Sequence, residues 1–378
     1  FGLSGLVMGI LNAHQKFLIP ALTPAMYSTG MILGVWLLVP QLGIFGLAWG
    51  AVIGALLHLG LQIPSLVKLG GRYQAIFIPK DSLVLQVGRL MLPRLFGAAI
   101  VQLNFWVNTI LASFHEGSLN GITYAFQLML MPQAAIAQSI AIAAMPTFSA
   151  QVALDKMDEL RQSLASSLRG LILLSVPASI GLMILRKPIV ALLYQRGEFD
   201  VHSTELVAWA LLWYAAGLVG HAMVEVLSRA FYALQDTRTP VLVGVAAMSL
   251  NILFSLILMP VFESIGWMPH GGLALANSLA TALETVGLLV LIRRKMKRMY
   301  ARRILSLAWR SLLAGMMMAA ALWGWLVVST GMPVWLVALA GITGGALVYL
   351  AIIRLLRVEE LGYLLSSIKR RIGLAGRD

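Results

Sequence analysis

The sequence predicts an all-α polytopic membrane protein. Two pseudo-symmetric six-helix lobes, the first incomplete in this chain, are followed by two further transmembrane helices. Three observations carry that expectation. Hydrophobic residues make up 60% of the 378 and charged residues only 11%, with a mean hydropathy of +0.87. Soluble domains carry about 25% charged residues, so this much apolar surface calls for lipid as the solvent. Apolar stretches of about 20 residues recur along the whole length, as bilayer-crossing helices require. A helix-turn-helix pattern also occurs twice, 220 residues apart.

The elements follow in order. Phe1–Ala13 reads as the end of a span and leads into polar His14-Gln15-Lys16. With no basic leader or small-residue cleavage site in it, the chain is expected to be a fragment that begins inside a transmembrane helix. Pro20–Val39 is the next span, closed by Pro40, and Gly46–Val67 follows. A polar loop from Lys68 to Lys80 holds Gly70, Gly71 and Arg72. Leu83–Phe114 is long enough for an amphipathic entry turn and a full span. Leu119–Phe148 is broken by Pro132, because proline removes a helical hydrogen bond. Asp155–Arg169 mixes charge with Leu160, Leu164 and Leu168, and reads as a surface helix leading into Leu171–Ile184. After a polar loop, Gln195 to Ser203, Leu206–Leu234 reads as one span. Val241–Met259, Leu273–Ile292, Leu307–Val328 and Trp335–Leu356 complete the set, and the tail to Asp378 is polar and basic. Ten complete spans and one partial span are expected. The division is 1–80 for the last three helices of the first lobe, 81–300 for the second lobe, and 301–378 for the two extra helices and tail.

The net charge of +13 marks topology rather than nucleic-acid binding, since no basic soluble domain exists to carry a nucleic acid. Alternating sides through the spans places Lys16, Lys68, Arg72, Lys80, Lys156, Arg161, Arg238 and the basic run Arg293–Arg303 on one side. The other side holds Arg186, Lys187 and Arg196. Lysine and arginine concentrate in cytoplasmic loops, so the Gln235–Thr239 turn and the C-terminus are expected in the cytoplasm. The Arg293–Arg303 run reads as a topology anchor, with contact to anionic lipids as the alternative. The sequence has no cysteine, which excludes disulfides and thiolate metal sites.

Ala13, Gln15 and Pro20 recur as Ala233, Gln235 and Pro240, and Pro40 recurs as Pro260, all at an offset of 220. Gly46-Leu47-Ala48 then matches Gly272-Leu273-Ala274 after a small insertion. Each match is weak alone; in order, they predict two related halves. Both turns fall on the same side, so the repeat is parallel, about an axis along the membrane normal.

Three stretches resemble the MurJ/MviN family, the lipid II flippases of the multidrug/oligosaccharidyl-lipid/polysaccharide exporter superfamily. They are Phe231-Tyr232-Ala233-Leu234-Gln235-Asp236-Thr237-Arg238-Thr239-Pro240, the run from Gly2-Leu3-Ser4-Gly5 to Pro24, and Tyr194-Gln195-Arg196-Gly197-Glu198-Phe199. The resemblance covers essentially the whole chain. It implies two lobes plus two helices, a V-shaped cavity between lobes, alternating access and a lipid-linked cell-wall precursor as substrate. It also exposes two departures. Relatives place an Asp-Arg pair where Phe126-Gln127 stand, and Gln127 can hydrogen-bond a sugar or phosphate but cannot neutralise it. Some members bind sodium through an aspartate where Asn108 stands, with Asn251 and Thr281 as counterparts, and here that carboxylate is replaced by an amide. Asn104, Asn108 and Asn251 have interhelical hydrogen bonding as their plainer reading.

No constellation points to an enzyme or a metal centre: the six histidines are scattered without metal-ligand spacing. Charges inside spans are then the informative residues. Glu225 and Arg229 lie four apart on one helical face and can pair, and His221 extends that face by a turn. They are either a cavity wall that meets a headgroup or carries a proton, or a self-satisfied ion pair. Glu284 lies mid-span with Asn277 and Thr281 on adjoining turns, a candidate for a cavity or coupling role. Arg89 and Arg94 flank Pro93 where their span begins. They either snorkel to lipid phosphates or hold a diphosphate.

The leading expectation is a monomeric flippase in a bacterial plasma membrane. It would move an undecaprenyl-diphosphate-linked peptidoglycan precursor between leaflets, with lipid as its other partner and no cofactor beyond a coupling ion, Na+ or H+. Leu307–Leu356 would offer an apolar groove to the lipid tail. The alternatives are export of another lipid-linked oligosaccharide, which Gln127 favours, and a non-transporting scaffold. A membrane glycosyltransferase fits least, because no acidic pair lies in an extramembrane loop with room for a sugar nucleotide.

Overall fold

The computed structural model describes residues 1–14, 16, 18–70, 82–297, 300–358 and 360, and every regular element in them is helical. Among the described residues, eight helices are long and apolar enough to cross a membrane, and a bent pair counted as one span makes a ninth. In the 32-residue helix Ser82–Ser113, the described apolar stretch is Ala99–Ser113. Its Leu85-to-Ala99 portion includes Arg89 and Arg94, whose side chains lie outside the described residues, as do most of the Lys68 to Lys80 loop and the tail beyond 360. Large apolar side chains stand exposed all along the helices, Trp36, Trp323 and Leu355 among them. That is the expected surface for a protein solvated by lipid.

The chain divides into two compact units, Phe1–Val87 and Gly88–Asp378. In the first, α1 (Gly2–Ala13) precedes α2 (Leu18–Leu42) and α3 (Ile44–Lys68). Glycines make the α2–α3 contact. Gly30 and Gly34 face Gly46, Gly50 and Gly54 at four-residue spacing, so one helix backbone lies against the other, as small residues permit in membranes. α2 does not close at Pro40. It runs on to Leu42 through a π-helical turn at Gly34–Leu38, which absorbs the proline's missing N–H within the helix. Gly43 turns the chain at φ 55, a conformation only glycine adopts freely.

The second unit begins within α4 (Ser82–Ser113) and continues with α5 (Ser118–Ala153) and α6 (Met157–Ile184). Next come α7 (Arg186–Tyr194), α8 (Val201–Ala216) and α9 (Leu218–Ala233). It ends with α10 (Arg238–Ser264), α11 (His270–Met296), α12 (Ala301–Val328) and α13 (Val334–Leu355). Three expectations need correction. Pro132 does not break α5; a π-turn at Ala134–Gln138 follows it and the helix continues. The surface helix Asp155–Arg169 is instead the start of one continuous helix, with Leu160, Leu164 and Leu168 fully buried against α5, α9 and α11. And Leu206–Leu234 is two helices, bent by 47° at Gly217. α7 is an element the sequence reading left unassigned.

Side chains stabilise the bend. Gly217 N–H turns to the Tyr214 carbonyl at 3.0 Å, leaving the Trp213 carbonyl for the Ser278 hydroxyl at 2.7 Å. Ser179 donates to the Ala215 carbonyl at 2.6 Å. A helix end buried in apolar surroundings needs such donors. α12 and α13 pack on α6: Leu173, Ala314, Met318, Leu322 and Ile353 form one core, and Tyr349 donates to the Leu173 carbonyl at 2.9 Å.

The internal repeat is visible in each unit. Lys16 N–H donates to the Leu11 carbonyl at 2.9 Å, and 220 residues on, Asp236 N–H donates to the Phe231 carbonyl at 2.9 Å. Gln235 at φ 58 completes a Schellman closure there. A Cβ on Gly46 would meet the Leu38 carbonyl carbon at 2.6 Å, and one on Gly272 the Leu258 carbonyl carbon at 2.7 Å. The same glycine approaches the same point of the preceding helix in both halves.

Candidate functional site

The polar residues of the second unit gather in three places. On α9, Arg229 Nη2 donates to Glu225 Oε1 at 2.9 Å, with both side chains half-buried. One turn earlier His221 reaches across to α11: its Nε2 donates to Asn277 Oδ1 at 2.9 Å and lies 3.2 Å from Thr281 Oγ1. Thr285 continues the α11 row, donating to the Thr281 carbonyl at 2.9 Å with the Gly220 carbonyl at 3.1 Å. The ring of Phe126 on α5 closes against His221 and Tyr214. The next residue, Gln127, is exposed and hydrogen-bonds to no group among the described residues. The Glu225–Arg229 pair was readable from its i,i+4 spacing. The histidine's partners were not, because they lie on another helix.

Glu284 does not join this row. Its carboxylate lies over Gly244 of α10, where a glycine leaves it room, and no ion pair reaches it among the described residues.

The second cluster ties α4 to α10. Asn251 Oδ1 accepts from Asn104 Nδ2 at 3.0 Å and Asn108 Nδ2 at 3.1 Å, and Ser255 donates to Asn108 Oδ1 at 3.0 Å. Asn104 and Asn251 are buried. Thr281 is not part of it; its hydroxyl belongs with His221. The cluster therefore unites Asn108 and Asn251 and omits the third expected cation ligand. Its oxygens already accept amide and hydroxyl donors and none is a carboxylate. That donor set fits an interhelical clasp better than a sodium ion, and no step of the mechanism runs through an ion there.

The third is the turn between α9 and α10. Asp236 accepts from Thr239 N–H at 3.0 Å, Thr239 Oγ1 at 2.8 Å and Lys295 Nζ at 2.8 Å. The Lys295 ammonium and the Thr239 donors hold its carboxyl down at about 2. Arg161 Nε donates to the Met296 carbonyl at 2.9 Å, so the starts of α6 and α10 and the end of α11 meet at one end of the unit. The turn is a structural knot. Tyr194–Phe199 is likewise structural: Gly197 turns at φ 59, Tyr194 and Phe199 stack with Tyr124, and Asp200 caps α8 through Ser203 N–H at 2.8 Å.

In the first unit the sequence reading missed a buried polar triad. Gln62 Nε2 donates to Ser4 Oγ at 2.6 Å and to the His58 carbonyl at 3.0 Å, which leaves the Ser4 proton for His58 Nδ1 at 2.6 Å. Ser4 and His58 lie 54 residues apart, and no local spacing signals the contact.

Comparison with known proteins agrees with this architecture. Residues 1–341 match the family described as lipid II flippase MurJ. The probable lipid II flippase MurJ of Vibrio cholerae is 32% identical over 362 residues, covering 93% of this chain and 67% of that protein. The probable lipid II flippase MurJ of Haemophilus influenzae is 29% identical, covering 91% of this chain and 70% of that protein. The lipid II flippase MurJ of Burkholderia cenocepacia is 30% identical, covering 78% and 57%. A solved structure of lipid II flippase MurJ in an inward closed conformation shares the fold, with a TM-score of 0.77 at 24% identity over 94% of this chain and 72% of that one. A multi-span helical bundle, an internal repeat and the matched turn motifs all lead to the same assignment: the chain belongs to the MurJ family of lipid II flippases.

Proposed function

We propose that this protein moves a lipid-linked peptidoglycan precursor, lipid II, across the bacterial plasma membrane by alternating access. Its basic end and C-terminus would face the cytoplasm. It is a transporter without catalytic residues: the work is to hold a charged headgroup away from lipid, which calls for a polar wall rather than a nucleophile. The observation that carries the reading is the polar face of α9, running from His221 through Glu225 to Arg229 within the helix bundle. Ionisable groups at membrane depth persist where they serve a substrate or ion path. In this reading Arg229, released from Glu225, meets the diphosphate. Gln127 and Asn277 bond sugar hydroxyls, and Glu284 carries the coupling proton. Arg89 and Arg94 receive phosphate at the entry of α4.

The test is lipid II accessibility in proteoliposomes containing the full-length protein. Arg229→Gln and Glu225→Gln should each lower translocation at least tenfold while leaving the yield of folded protein unchanged. Wild-type rates in both variants would eliminate this path. A second reading, transport of another undecaprenyl-linked oligosaccharide, draws on the exposed neutral Gln127. It is favoured if Gln127→Arg leaves lipid II movement unchanged.

A further inference from the structure

Between the middle of α6, the start of α12 and the residues just beyond α13 lies a cavity of about 650 Å³, away from the α9 face. Arg169, Arg302, Arg303, Arg310 and Arg357 line it, with Glu360 as the one acidic group in the lining. Glu360 pairs with Arg169, whose Nε is buried without an acceptor among the described residues. Arg303 lies over the Tyr300 ring at 5.4 Å. Arg310 reaches the Leu356 carbonyl at 3.4 Å. Five arginines thus line one space, with Glu360 the carboxylate among its described lining residues, and such like charges repel unless an anion joins them.

We propose that this cavity binds a phosphate group, carried by an anionic lipid headgroup or by a soluble phosphate. Guanidinium forks match phosphate oxygens bidentately and lose little hydration in doing so. A topology anchor needs only charge on the correct side of the membrane, and it needs no cavity. The basic run along the sequence does not build this one alone. Arg293, Arg294 and Lys295 stay outside it, whereas Arg169, Arg310 and Arg357 join Arg302 and Arg303 from three other stretches. Exposed Leu305, Trp309 and Leu355 stand on the same ends of α12 and α13. Apolar surface with an interfacial tryptophan is what the acyl chains of a headgroup-bound lipid would lie against.

The test titrates the detergent-purified chain with short-chain phosphatidylglycerol, short-chain phosphatidylcholine and inorganic diphosphate, reading thermal stabilisation. The expected result is half-maximal stabilisation by phosphatidylglycerol at a concentration at least tenfold below that for phosphatidylcholine. The double variant Arg302→Gln with Arg357→Gln should shift the phosphatidylglycerol midpoint upward at least tenfold. Arg293→Gln with Arg294→Gln removes the same charge from exposed positions outside the cavity and should leave it unchanged. Arg310→Gln alone gives an independent reading if the first pair folds poorly. Diphosphate acting as strongly as the lipid assigns the cavity to a soluble phosphate, and preference for the lipid assigns it to a headgroup; both support the site. Equal losses in the two double variants, or a loss in none of the variants, would overturn it.

Discussion

Asp236 joins three helices through one carboxylate, and its charge state makes that junction measurable. Its pKa of about 2 in the folded chain lies below the usual aspartate value near 3.9. The ionised form is therefore favoured by folding. That contribution is fully present above about pH 4 and is lost as pH falls through the folded value. Asp236→Asn keeps an oxygen for Thr239 N–H but gives up the Lys295 pair, so it should lower stability at pH 7 by about 1 kcal/mol. The gap to wild type should close between about pH 4 and pH 2 in thermal unfolding of the purified protein. A gap that stays constant with pH would mean the carboxylate acts only as a neutral cap. Residue-level chemistry was legible in the sequence where partners are near in the chain, as for Glu225 with Arg229. It was illegible where the partner sits on another helix. His221 meets Asn277 56 residues away, and the Asn108–Asn251 contact crosses 143. Helical periodicity gives a residue's face but not what that face meets.

Elements were legible wherever hydrophobicity alone sets them, and misread where packing does. α6 carries Asp158, Glu159 and Arg161 in its first turns, which read as surface. Its leucines at four-residue spacing nonetheless bury completely, because α5, α9 and α11 extend to the same end. Leu164→Ala should therefore cost about 2–4 kcal/mol, whereas Gln162→Ala, on the exposed face, should stay within about 0.5 kcal/mol; denaturant titration separates them. The glycine stripe of α3 makes the same point with a sharper contrast. A Cβ on Gly50 would lie 2.9 Å from the Gly34 Cα, while one on Gly60 meets nothing within 4 Å. Gly50→Ala must push two backbones apart and should cost about 1–3 kcal/mol. Gly60→Ala keeps the helix and should be neutral or slightly stabilising. If both changes were neutral, α2 and α3 would not pack through their backbones. The prolines teach the converse. Pro40 and Pro132 look like breaks in sequence, yet both helices continue past them with a π-turn nearby, and local rules do not anticipate that continuation.

At the scale of the whole molecule, charge and connectivity give one orientation. The Lys295–Asp236 pair and the Arg161–Met296 bond bring the starts of α6 and α10 and the end of α11 to one end. Lys156, Arg161, Arg238, Arg293, Arg294 and Lys297 gather there, while Arg186, Lys187 and Arg196 belong to the connections at the other. Moving lysine and arginine across a membrane against this bias is what the positive-inside rule opposes, and the proposed orientation accordingly puts the basic end in the cytoplasm. The sequence contains no cysteine, so single cysteines report position without a background. Thr237 and Glu198 are both exposed and lie in connections at opposite ends, after α9 and after α7. In intact cells with the outer membrane permeabilised, Glu198→Cys should react with a membrane-impermeant maleimide and Thr237→Cys should not. After the inner membrane is opened, both should react. Labelling of Thr237→Cys in intact cells with Glu198→Cys protected would invert the molecule. The arginine cavity would then face the periplasm, and α9 would present its Arg229 end to the outer leaflet rather than to the side where a precursor is loaded.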